Sequence, residues 1–247
     1  MIPLLAVGFR NDMTSSVPFW IREFVLLRLL GPVYLRRVQQ RLLARNPPWR
    51  VCRKGITRLC IEGFPRSANS LAVRLFCFAN DVPVAHHTHS LNNVRLALAY
   101  GIPVLILVRN PLDAIVSACI YSKRSVGDVI SSWISFYKYL EQVRDRVVLA
   151  HFDVVISNFN LTIVSVNKMF HTGFSLIEDL EAATERVFED IRAGASRDGK
   201  GADKIPIPMP EREQAKAEYR LLVSQHPGIA GAQDLYDRLC GTMGSCD

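Results

Sequence analysis

The stretch Arg58-Leu-Cys-Ile-Glu-Gly-Phe-Pro-Arg-Ser-Ala-Asn-Ser-Leu71 decides the fold. Its apolar run ends at a glycine, turns through a proline and opens a helix at small hydroxyl and amide residues. This order is typical of a phosphate-binding loop, in which backbone N–H groups at a helix N-terminus hold an anion. We therefore predict that residues Gly63–Ser70, here named the Pro65 loop, join a buried strand to a helix and bind an anion.

The Pro65 loop departs from the nucleoside-triphosphate pattern G-x-x-x-x-G-K-[ST] at two positions. It keeps Gly63 and Ser70, but Ala68 stands at the second glycine and Asn69 stands at the lysine. An ATPase needs that lysine on the β- and γ-phosphates, with a magnesium ion beside it. Because the nearest cation is Arg66, inside the turn, we expect the loop to hold a different anion.

Positive charge is concentrated at the N-terminus of this chain of 247 residues, whose net charge is +7. Residues 1–60 contain 11 Lys and Arg against 2 Asp and Glu, and the other 187 residues contain 19 against 21. With 49% hydrophobic residues the chain can bury one substantial core. We expect a basic amphipathic arm at 1–50 and one α/β domain at 51–247.

The arm is predicted to form two helical pieces, Pro18–Leu30 and Val33–Arg45. The second piece either lies on an anionic membrane surface or packs across its own domain. Nucleic acid is not an expected partner, because the basic helix lacks interleaved aromatic residues. No run is apolar enough to span a bilayer, and the six cysteines show no paired metal spacing. We expect a cytoplasmic protein, with peripheral contact at the inner membrane surface as an open alternative.

Short apolar runs alternate with helical stretches after the arm, which predicts a mainly parallel sheet with helices on both faces. The strands are predicted at Thr57–Gly63, Val82–Ala85, Val104–Val108 and Val147–Phe152. The helices among them are predicted at Asn69–Asn80, Leu91–Tyr100, Leu112–Lys123 and Val126–Val143. Later helices are predicted at Asn158–Phe170, Glu178–Ile191, Glu211–Ser224 and Ala232–Leu239, and Ala193–Pro210 is either a floppy connection or a loop that closes over ligand.

A second motif runs from Arg109 to Ser117, with the sequence Arg-Asn-Pro-Leu-Asp-Ala-Ile-Val-Ser. It follows the apolar strand Val104–Val108, and a helix is predicted to start near Pro111, where proline is favoured. An arginine at a strand end and a serine two turns along the helix suit one phosphate, through charge-assisted hydrogen bonds and a hydroxyl donor. The alternative is a local pair between Arg109 and Asp113 that braces the helix start.

Together the two motifs resemble the sulfotransferase family that uses 3′-phosphoadenosine 5′-phosphosulfate (PAPS). In that family a Pro-Lys/Arg-Ser-Gly-x-[ST] loop binds the 5′-phosphosulfate, and an Arg-Asn-Pro-x-Asp-x-x-x-Ser segment binds the 3′-phosphate. Arg66 and Arg109, one from each motif, are 43 residues apart. The resemblance implies a P-loop-like three-layer fold, PAPS as co-substrate and 3′-phosphoadenosine 5′-phosphate (PAP) as product. The donor-binding residues it implies are Pro65, Arg66, Ser67, Ala68, Asn69, Ser70, Arg109 and Ser117.

Two residues depart from the family pattern within the Pro65 loop. Ala68 replaces the usual glycine, so we expect the loop to reach its anion without a positive φ at that position. Arg66 stands where many members have lysine, and it presents a planar fork instead of a movable point charge. We expect donor binding to survive both changes.

The resemblance also implies the catalytic residues. The segment His86-His-Thr-His89 follows the second strand, where many members have Lys-Thr-His, which makes His89 the expected general base. Arg66 is the expected catalytic cation at the leaving phosphate. His86 and His87 are weaker candidates for the base, and the three histidines also allow a zinc site. We expect no metal, since a sulfuryl group carries less charge than a γ-phosphate.

Three further features match the family more loosely. Asp153 resembles the acidic residue of a Tyr-Glu-Asp segment and is expected to brace the fold. Trp133 and Tyr137, one helical turn apart, match an aromatic pattern whose ordinary explanation is core packing. The segment Ser196-Arg-Asp-Gly-Lys-Gly201 is similar to an Arg-Lys-Gly loop, which implies Arg197 and Lys200 as 3′-phosphate ligands.

The function predicted from these residues is transfer of a sulfuryl group from PAPS to a hydroxyl or amine. One alternative is a P-loop kinase acting on a small molecule, which needs a loop lysine and a magnesium carboxylate. Another is a non-catalytic nucleotide-binding protein of the same fold. The sequence does not distinguish a sugar, phenol, lipid or peptide acceptor, although the basic arm is compatible with a lipid or glycolipid.

Overall fold

The structure, a computed structural model, describes residues 31–197 and 213–241. Four strands form its sheet: β1 (Leu59–Gly63), β2 (Val84–His86), β3 (Val104–Val108) and β4 (Val148–His151). The helices are α1 (Gly31–Leu43), α2 (Asn69–Ala79), α3 (Leu91–Tyr100), α4 (Pro111–Ser122), α5 (Val126–Glu141), α6 (Phe152–Ser157), α7 (Phe159–Phe170), α8 (Leu180–Arg197), α9 (Glu213–Ser224) and α10 (Gly228–Gly241). Short 3-10 turns occupy Pro48–Arg50 and Arg144–Arg146.

The sheet has the strand order β2-β1-β3-β4, and every neighbouring pair is parallel. Parallel pairing brings the carboxyl ends of all four strands to one edge. Gly63, His86, Arg109 and His151 therefore lie at or next to that edge. This confirms the α/β prediction of a parallel sheet flanked by helices.

Two apolar clusters fill the opposite faces of the sheet, because successive strand residues point to opposite sides. Val104, Ile106 and Val108 face one cluster, whereas Leu105 and Leu107 face the other. The first face is covered mainly by α1, α3, α4, α5 and α10, and the second by α2, α7 and α8. The central strands β1 and β3 are buried throughout, as expected for a sheet with helices on both faces.

Helix α1 belongs to the first cluster. Its Val38 and Leu42 are buried, and it packs against α3. Arg36, Arg37 and Arg41 on the same helix are exposed. The helix thus uses its apolar side within the fold and turns its arginines outward. The other predicted helix of the arm, Pro18–Leu30, lies outside the described residues.

The main departures from the predicted elements follow β4 and α8. The last strand ends at His151, and the short helix α6 starts at Phe152, with Asp153 in its first turn, where an acidic side chain is favourable. Helix α8 continues to Arg197, so residues 193–197 of the predicted loop Ala193–Pro210 are helical. The loop residues 198–210 lie outside the described ranges. Among the described helices, none has the length and hydrophobicity that crossing a membrane requires.

Candidate functional site

The Pro65 loop leaves the sheet at Gly63 under close steric restraint. A Cβ at this position would lie 2.8 Å from the Leu107 carbonyl oxygen and 3.0 Å from Asn69 Oδ1. A contact of 2.8 Å with a backbone atom is shorter than real side chains make. Glycine is therefore required here by the approach of β3, and not by an unusual backbone angle.

Ala68 corrects one prediction about the loop. We expected no positive φ at this position, but Ala68 has a φ of 66° and Arg66 has a φ of 72°. The left-handed region costs a residue with a Cβ about 1–2 kcal/mol. The loop thus adopts at Ala68 the left-handed conformation that glycine favours, and the surrounding contacts offset the strain.

The turn brings the N-terminus of α2 to the sheet edge without a capping side chain. The first N–H groups of a helix have no partner within it, and they attract anions. Asn69, at the lysine position of the triphosphate pattern, donates from Nδ2 to the Phe64 carbonyl, 3.0 Å away, and is 4% exposed. Asn69 thus braces the loop with its side chain, and Ser67 is fully buried. Backbone groups, more than these two side chains, are available to a ligand.

Tyr137 of α5 ties the loop to β3 from inside the core. Its hydroxyl donates to the Leu107 carbonyl at 2.7 Å and accepts from the Phe64 N–H at 3.4 Å. Tyr137 is fully buried beside Trp133, with ring centroids 4.5 Å apart. Burial raises the pKa of Tyr137 far above its ordinary value, so the hydroxyl keeps its proton. Core packing was the expected explanation of both aromatic residues, and the hydroxyl adds a structural link to the loop.

The two sequence motifs meet through Arg66. Its Nε donates to Ser117 Oγ on α4 at 3.0 Å, and its guanidinium lies 5.4 Å from the centre of the Tyr121 ring. The cation predicted for the leaving phosphate therefore lies beside the serine predicted for the 3′-phosphate. This contact links residues that are 51 positions apart in the chain.

Arg109 joins the same group from the end of β3. Its Nη1 donates to the Arg66 carbonyl at 3.0 Å, and its guanidinium carbon lies 4.2 Å from the centre of the Phe152 ring. Asp113 is paired with Arg220 of α9, in contrast to the local pair with Arg109 that the sequence left open. Burial lowers the pKa of Arg109, and the nearby Asp113 and Asp153 oppose that shift. Arg109 Nε is buried with no protein partner among the described residues, so the side chain retains hydrogen-bonding capacity.

The histidine loop, His86–His89, follows β2 next to the Pro65 loop. His89 Nδ1 lies 2.8 Å from the Gly63 carbonyl oxygen. Because a carbonyl only accepts, Nδ1 carries the proton in this contact and the neutral ring has its lone pair on Nε2. An imidazole with a free Nε2 lone pair can act as a general base, the role predicted for His89.

His87 connects the two loops. Its Nε2 lies 3.1 Å from Ser70 Oγ, and its Nδ1 lies 2.7 Å from His86 Nδ1. Burial lowers the pKa of His86 to about 4, with a further contribution from Arg50. Burial lowers the pKa of His87 to about 3, and the neighbouring histidines and then Arg50 and Arg74 add to the shift. The pair is therefore neutral near pH 7. If His86 Nδ1–H donates to His87, then His87 Nε2–H donates to Ser70 and leaves its hydroxyl proton for a ligand.

Glu62 is a residue that the sequence reasoning missed. It lies one position before Gly63, is fully buried, and accepts hydrogen bonds from Thr88, His89 and Asn93. Burial raises its pKa, while these hydrogen bonds and the charge of His89 oppose the rise. An acidic residue inside the apolar run Leu-Cys-Ile-Glu-Gly was the available signal, since buried acids are rare without partners.

The remaining predicted residues lie apart from this group or outside the described chain. Pro65 is half-exposed in the turn, and Asp153 acts electrostatically on Arg109 from α6. Arg197 is exposed at the C-terminal end of α8, and Lys200 lies outside the described ranges. Within residues 31–197 and 213–241, no group of three or more His, Cys, Asp or Glu side chains is arranged to hold a metal ion.

Comparisons with known proteins find similar chains among solved structures. No family model matches the chain, and no curated protein matches it. Among solved structures, the crystal structure of the mouse sulfotransferase SULT7A1 complexed with PAP is similar, with a TM-score of 0.44 and 8% sequence identity. The likeness covers 82% of this chain and 92% of that chain.

Proposed function

We propose that this protein transfers a sulfuryl group from PAPS to a hydroxyl or amine acceptor. The observation that carries the proposal is the contact of Arg66 Nε with Ser117 Oγ at 3.0 Å. This contact joins the two motifs whose sequences resemble the 5′-phosphosulfate and 3′-phosphate segments of PAPS-dependent sulfotransferases. A donor with phosphates at both the 3′ and 5′ positions suits two anion sites that share one group of residues.

The donor would be held by charge and by backbone N–H groups. The uncapped N-terminus of α2 suits the 5′-phosphosulfate, because unpaired N–H groups and the helix dipole both favour an anion there. Arg109 and Ser117 suit the 3′-phosphate, with Arg66 between the two groups. As the bond from sulfur to the 5′-phosphate breaks, negative charge grows on the leaving oxygen, and Arg66 and the N–H groups would stabilise it.

The acceptor would be activated by His89. Its Nε2 takes the proton of the acceptor while the acceptor oxygen or nitrogen forms a bond to sulfur. The bond from sulfur to the 5′-phosphate oxygen breaks in the same transfer, and PAP leaves. The hydrogen bond between Nδ1 and the Gly63 carbonyl favours the tautomer that this step requires.

The kinase alternative is less well supported by the loop. A triphosphate site places a lysine where Asn69 stands, and the Asn69 side chain is turned into the loop toward the Phe64 carbonyl. At the end of β3, where a magnesium carboxylate would be sought, the residues are Arg109 and Asn110. A non-catalytic nucleotide-binding protein of the same fold would bind the donor without consuming it. Only a measurement of turnover separates this alternative from the enzyme.

A thermal-shift comparison of PAP with ATP plus magnesium tests donor binding. We expect PAP to raise the melting temperature of the wild type and ATP plus magnesium to have little effect. Arg109→Ala should abolish the PAP-induced shift, measured from the melting temperature of the same variant without ligand. The control Arg186→Ala, at an exposed position of α8, should keep the full shift. Stabilisation by ATP plus magnesium alone would contradict the proposal.

Turnover tests the role of His89. His89→Asn places an amide N–H near the position of Nδ1, which can still donate to the Gly63 carbonyl, but it has no counterpart of Nε2. We expect this variant to bind PAP like the wild type and to consume PAPS 10²- to 10⁴-fold more slowly with an acceptor present. An unchanged rate would remove His89 from the mechanism, and absence of PAPS consumption by the wild type across an acceptor panel would favour the non-catalytic alternative.

A further inference from the structure

Glu62 has an environment that a strand residue in a core does not ordinarily have. It is 0% exposed on the sheet face covered by α3, the same face as Cys60. Its Oε1 accepts from the Thr88 N–H at 3.0 Å, from Thr88 Oγ1 at 2.6 Å and from Asn93 Nδ2 at 2.9 Å. Its Oε2 accepts from the His89 N–H at 2.9 Å. A buried carboxylate is costly unless hydrogen bonds of this kind compensate for lost hydration.

The partners of Glu62 hold a strained segment. His87 has a φ of 55° and His89 has a φ of 47°, so two bulky residues of the histidine loop adopt the left-handed region. Such conformations persist where the surrounding structure holds them. Glu62 binds the N–H of Thr88, which lies between these residues, and the N–H of His89 itself. The carboxylate thus holds the two successive peptide N–H groups that lie between the strained φ angles of His87 and His89.

The same contacts orient the His89 ring. Its backbone N–H is held by Glu62, and its Nδ1 is held by the carbonyl of Gly63, the residue after Glu62. Two neighbouring residues of β1 therefore fix both the backbone and the ring of His89. In addition, the negative charge of Glu62 attracts the positive charge that His89 acquires when it accepts a proton.

We propose that Glu62 is a positioning residue that holds His89 with its proton on Nδ1 and its lone pair on Nε2, ready to accept a proton. The positioning of His89 by Glu62 is inferred from the hydrogen bonds alone. Its consequence for catalysis rests on the proposed function. Asn93 supports the arrangement, because it also accepts from the Cys52 N–H and donates to the Arg50 carbonyl, which anchors Glu62 to the segment after α1.

Glu62→Gln tests the proposal, because it replaces one carboxylate oxygen of Glu62 with an NH₂ group. Its amide oxygen is expected on the side of the three donors from Thr88 and Asn93, which turns the amide NH₂ toward the His89 N–H. The change therefore breaks the bond to His89 while keeping the others. Thr88→Val is the matched control, because it removes one donor to Oε1 and leaves the His89 N–H bonded to Oε2.

Nitrogen-15 NMR of the histidine rings gives a readout that does not depend on any substrate. We expect the wild type to show His89 as the Nδ1–H tautomer, with the signal assigned by its loss in His89→Asn. Glu62→Gln should convert it to a mixture of tautomers, and Thr88→Val should not. An Nε2–H tautomer in the wild type, or an unchanged signal in Glu62→Gln, would overturn the proposal. If Glu62→Gln does not fold, an Nε2–H tautomer in the wild-type spectrum would still overturn the proposal.

Kinetics then tests the catalytic consequence. With PAPS as donor, we expect Glu62→Gln to lower kcat by 10- to 100-fold with little change in the KM for PAPS, as supporting residues of active sites commonly do. Thr88→Val should lower kcat less than 3-fold. Equal losses in both variants would refute the specific role of the Glu62–His89 bond. If Glu62→Gln changes the tautomer of His89 but the wild type does not consume PAPS, the positioning role of Glu62 is supported and the proposed reaction is rejected.

Discussion

The Pro65 loop and the histidine loop follow adjacent parallel strands, and each contains two residues other than glycine with positive φ. The angles are 72° and 66° at Arg66 and Ala68, and 55° and 47° at His87 and His89. The Pro65 loop is held by several elements, through Tyr137, Arg109 and its own Asn69. In the histidine loop, the carboxylate of Glu62 alone accepts from two successive backbone N–H groups, those of Thr88 and His89.

This difference suggests that the two loops respond differently to mutation. Loss of one contact of the Pro65 loop leaves others in place, so its damage should be partial. Loss of the Glu62 carboxylate removes the hydrogen bonds of two consecutive N–H groups of the histidine loop at once. Gly63 belongs to both regions, because it opens one loop and accepts from His89 of the other.

Gly63→Ala should have the largest effect, since it disturbs both loops. The new Cβ would meet the Leu107 carbonyl and Asn69 Oδ1, and the backbone of β3 cannot move away without loss of sheet hydrogen bonds. We expect the free energy of unfolding to fall by about 3 kcal/mol, measured by urea denaturation. The control Gly231→Ala, where a Cβ meets nothing within 4 Å, should be neutral or stabilising. A loss below 1 kcal/mol at Gly63 would contradict the steric argument.

Tyr137→Phe should have the next largest effect, and it acts directly on the Pro65 loop and not on the histidine loop. It leaves the Leu107 carbonyl and the Phe64 N–H without their hydroxyl partner in a buried place. We expect a loss of about 2 kcal/mol in unfolding free energy and weaker PAP binding, with the tautomer of His89 unchanged. Tyr219→Phe, at a half-exposed residue of α9, is the control for removal of a tyrosine hydroxyl. An altered His89 signal in Tyr137→Phe would show that the two loops are more tightly coupled than their contacts indicate.

Acidification should weaken the histidine loop. The pKa values of about 4 for His86 and about 3 for His87 lie below the ordinary value of 6.5. Between pH 6.5 and these lower values, the two histidines bind more protons in the unfolded chain than in the folded one. The contribution of the two neutral histidines to the free energy of unfolding is therefore fully present above pH 6.5, and it is lost as the pH falls toward 4 and 3. Allowing for solvent screening, we expect the pair to contribute a loss of about 1 kcal/mol between pH 6.5 and 5.5.

Urea denaturation at several pH values measures this loss. The double variant His86→Gln and His87→Gln should flatten the pH dependence, and His171→Gln, at an exposed position after α7, should leave it unchanged. The charged groups that act on His87 are Arg50, Arg74 and the neighbouring histidines, and all of them disfavour its protonation. A slope that survives in the double variant would assign the acid sensitivity to other groups.

The sheet and most helices were predictable because their signals are local. Continuous apolar runs such as Val104–Val108 indicate buried strands, and Pro111 marks a helix start. The direct contact of Arg66 with Ser117 was not predicted, since the two residues are 51 positions apart and neither identifies the other by itself.

What the sequence did not reveal depends on contacts between distant segments. Glu62 is bonded to residues 26 to 31 positions later, and only the parallel pairing of β1 with β2 brings them together. The prediction of no positive φ at Ala68 is wrong, because the preference of a residue does not by itself determine its backbone angle. Tertiary contacts offset a strain of this size, so the absence of glycine does not exclude the conformation.

Ala68→Gly should change the free energy of unfolding least among these variants, and it should raise it where the others lower it. Glycine removes the cost of about 1–2 kcal/mol of a left-handed residue with a Cβ, but it adds freedom to the unfolded chain worth about 0.5–1 kcal/mol. We expect a net gain of about 0.5 kcal/mol in unfolding free energy and unchanged PAP affinity, because the loop already has the course that glycine favours. Ala72→Gly, a buried position in α2, is the control and should destabilise by about 1 kcal/mol. If Ala68→Gly instead lowers stability, the alanine methyl group makes a packing contact in the second apolar cluster that outweighs its backbone strain.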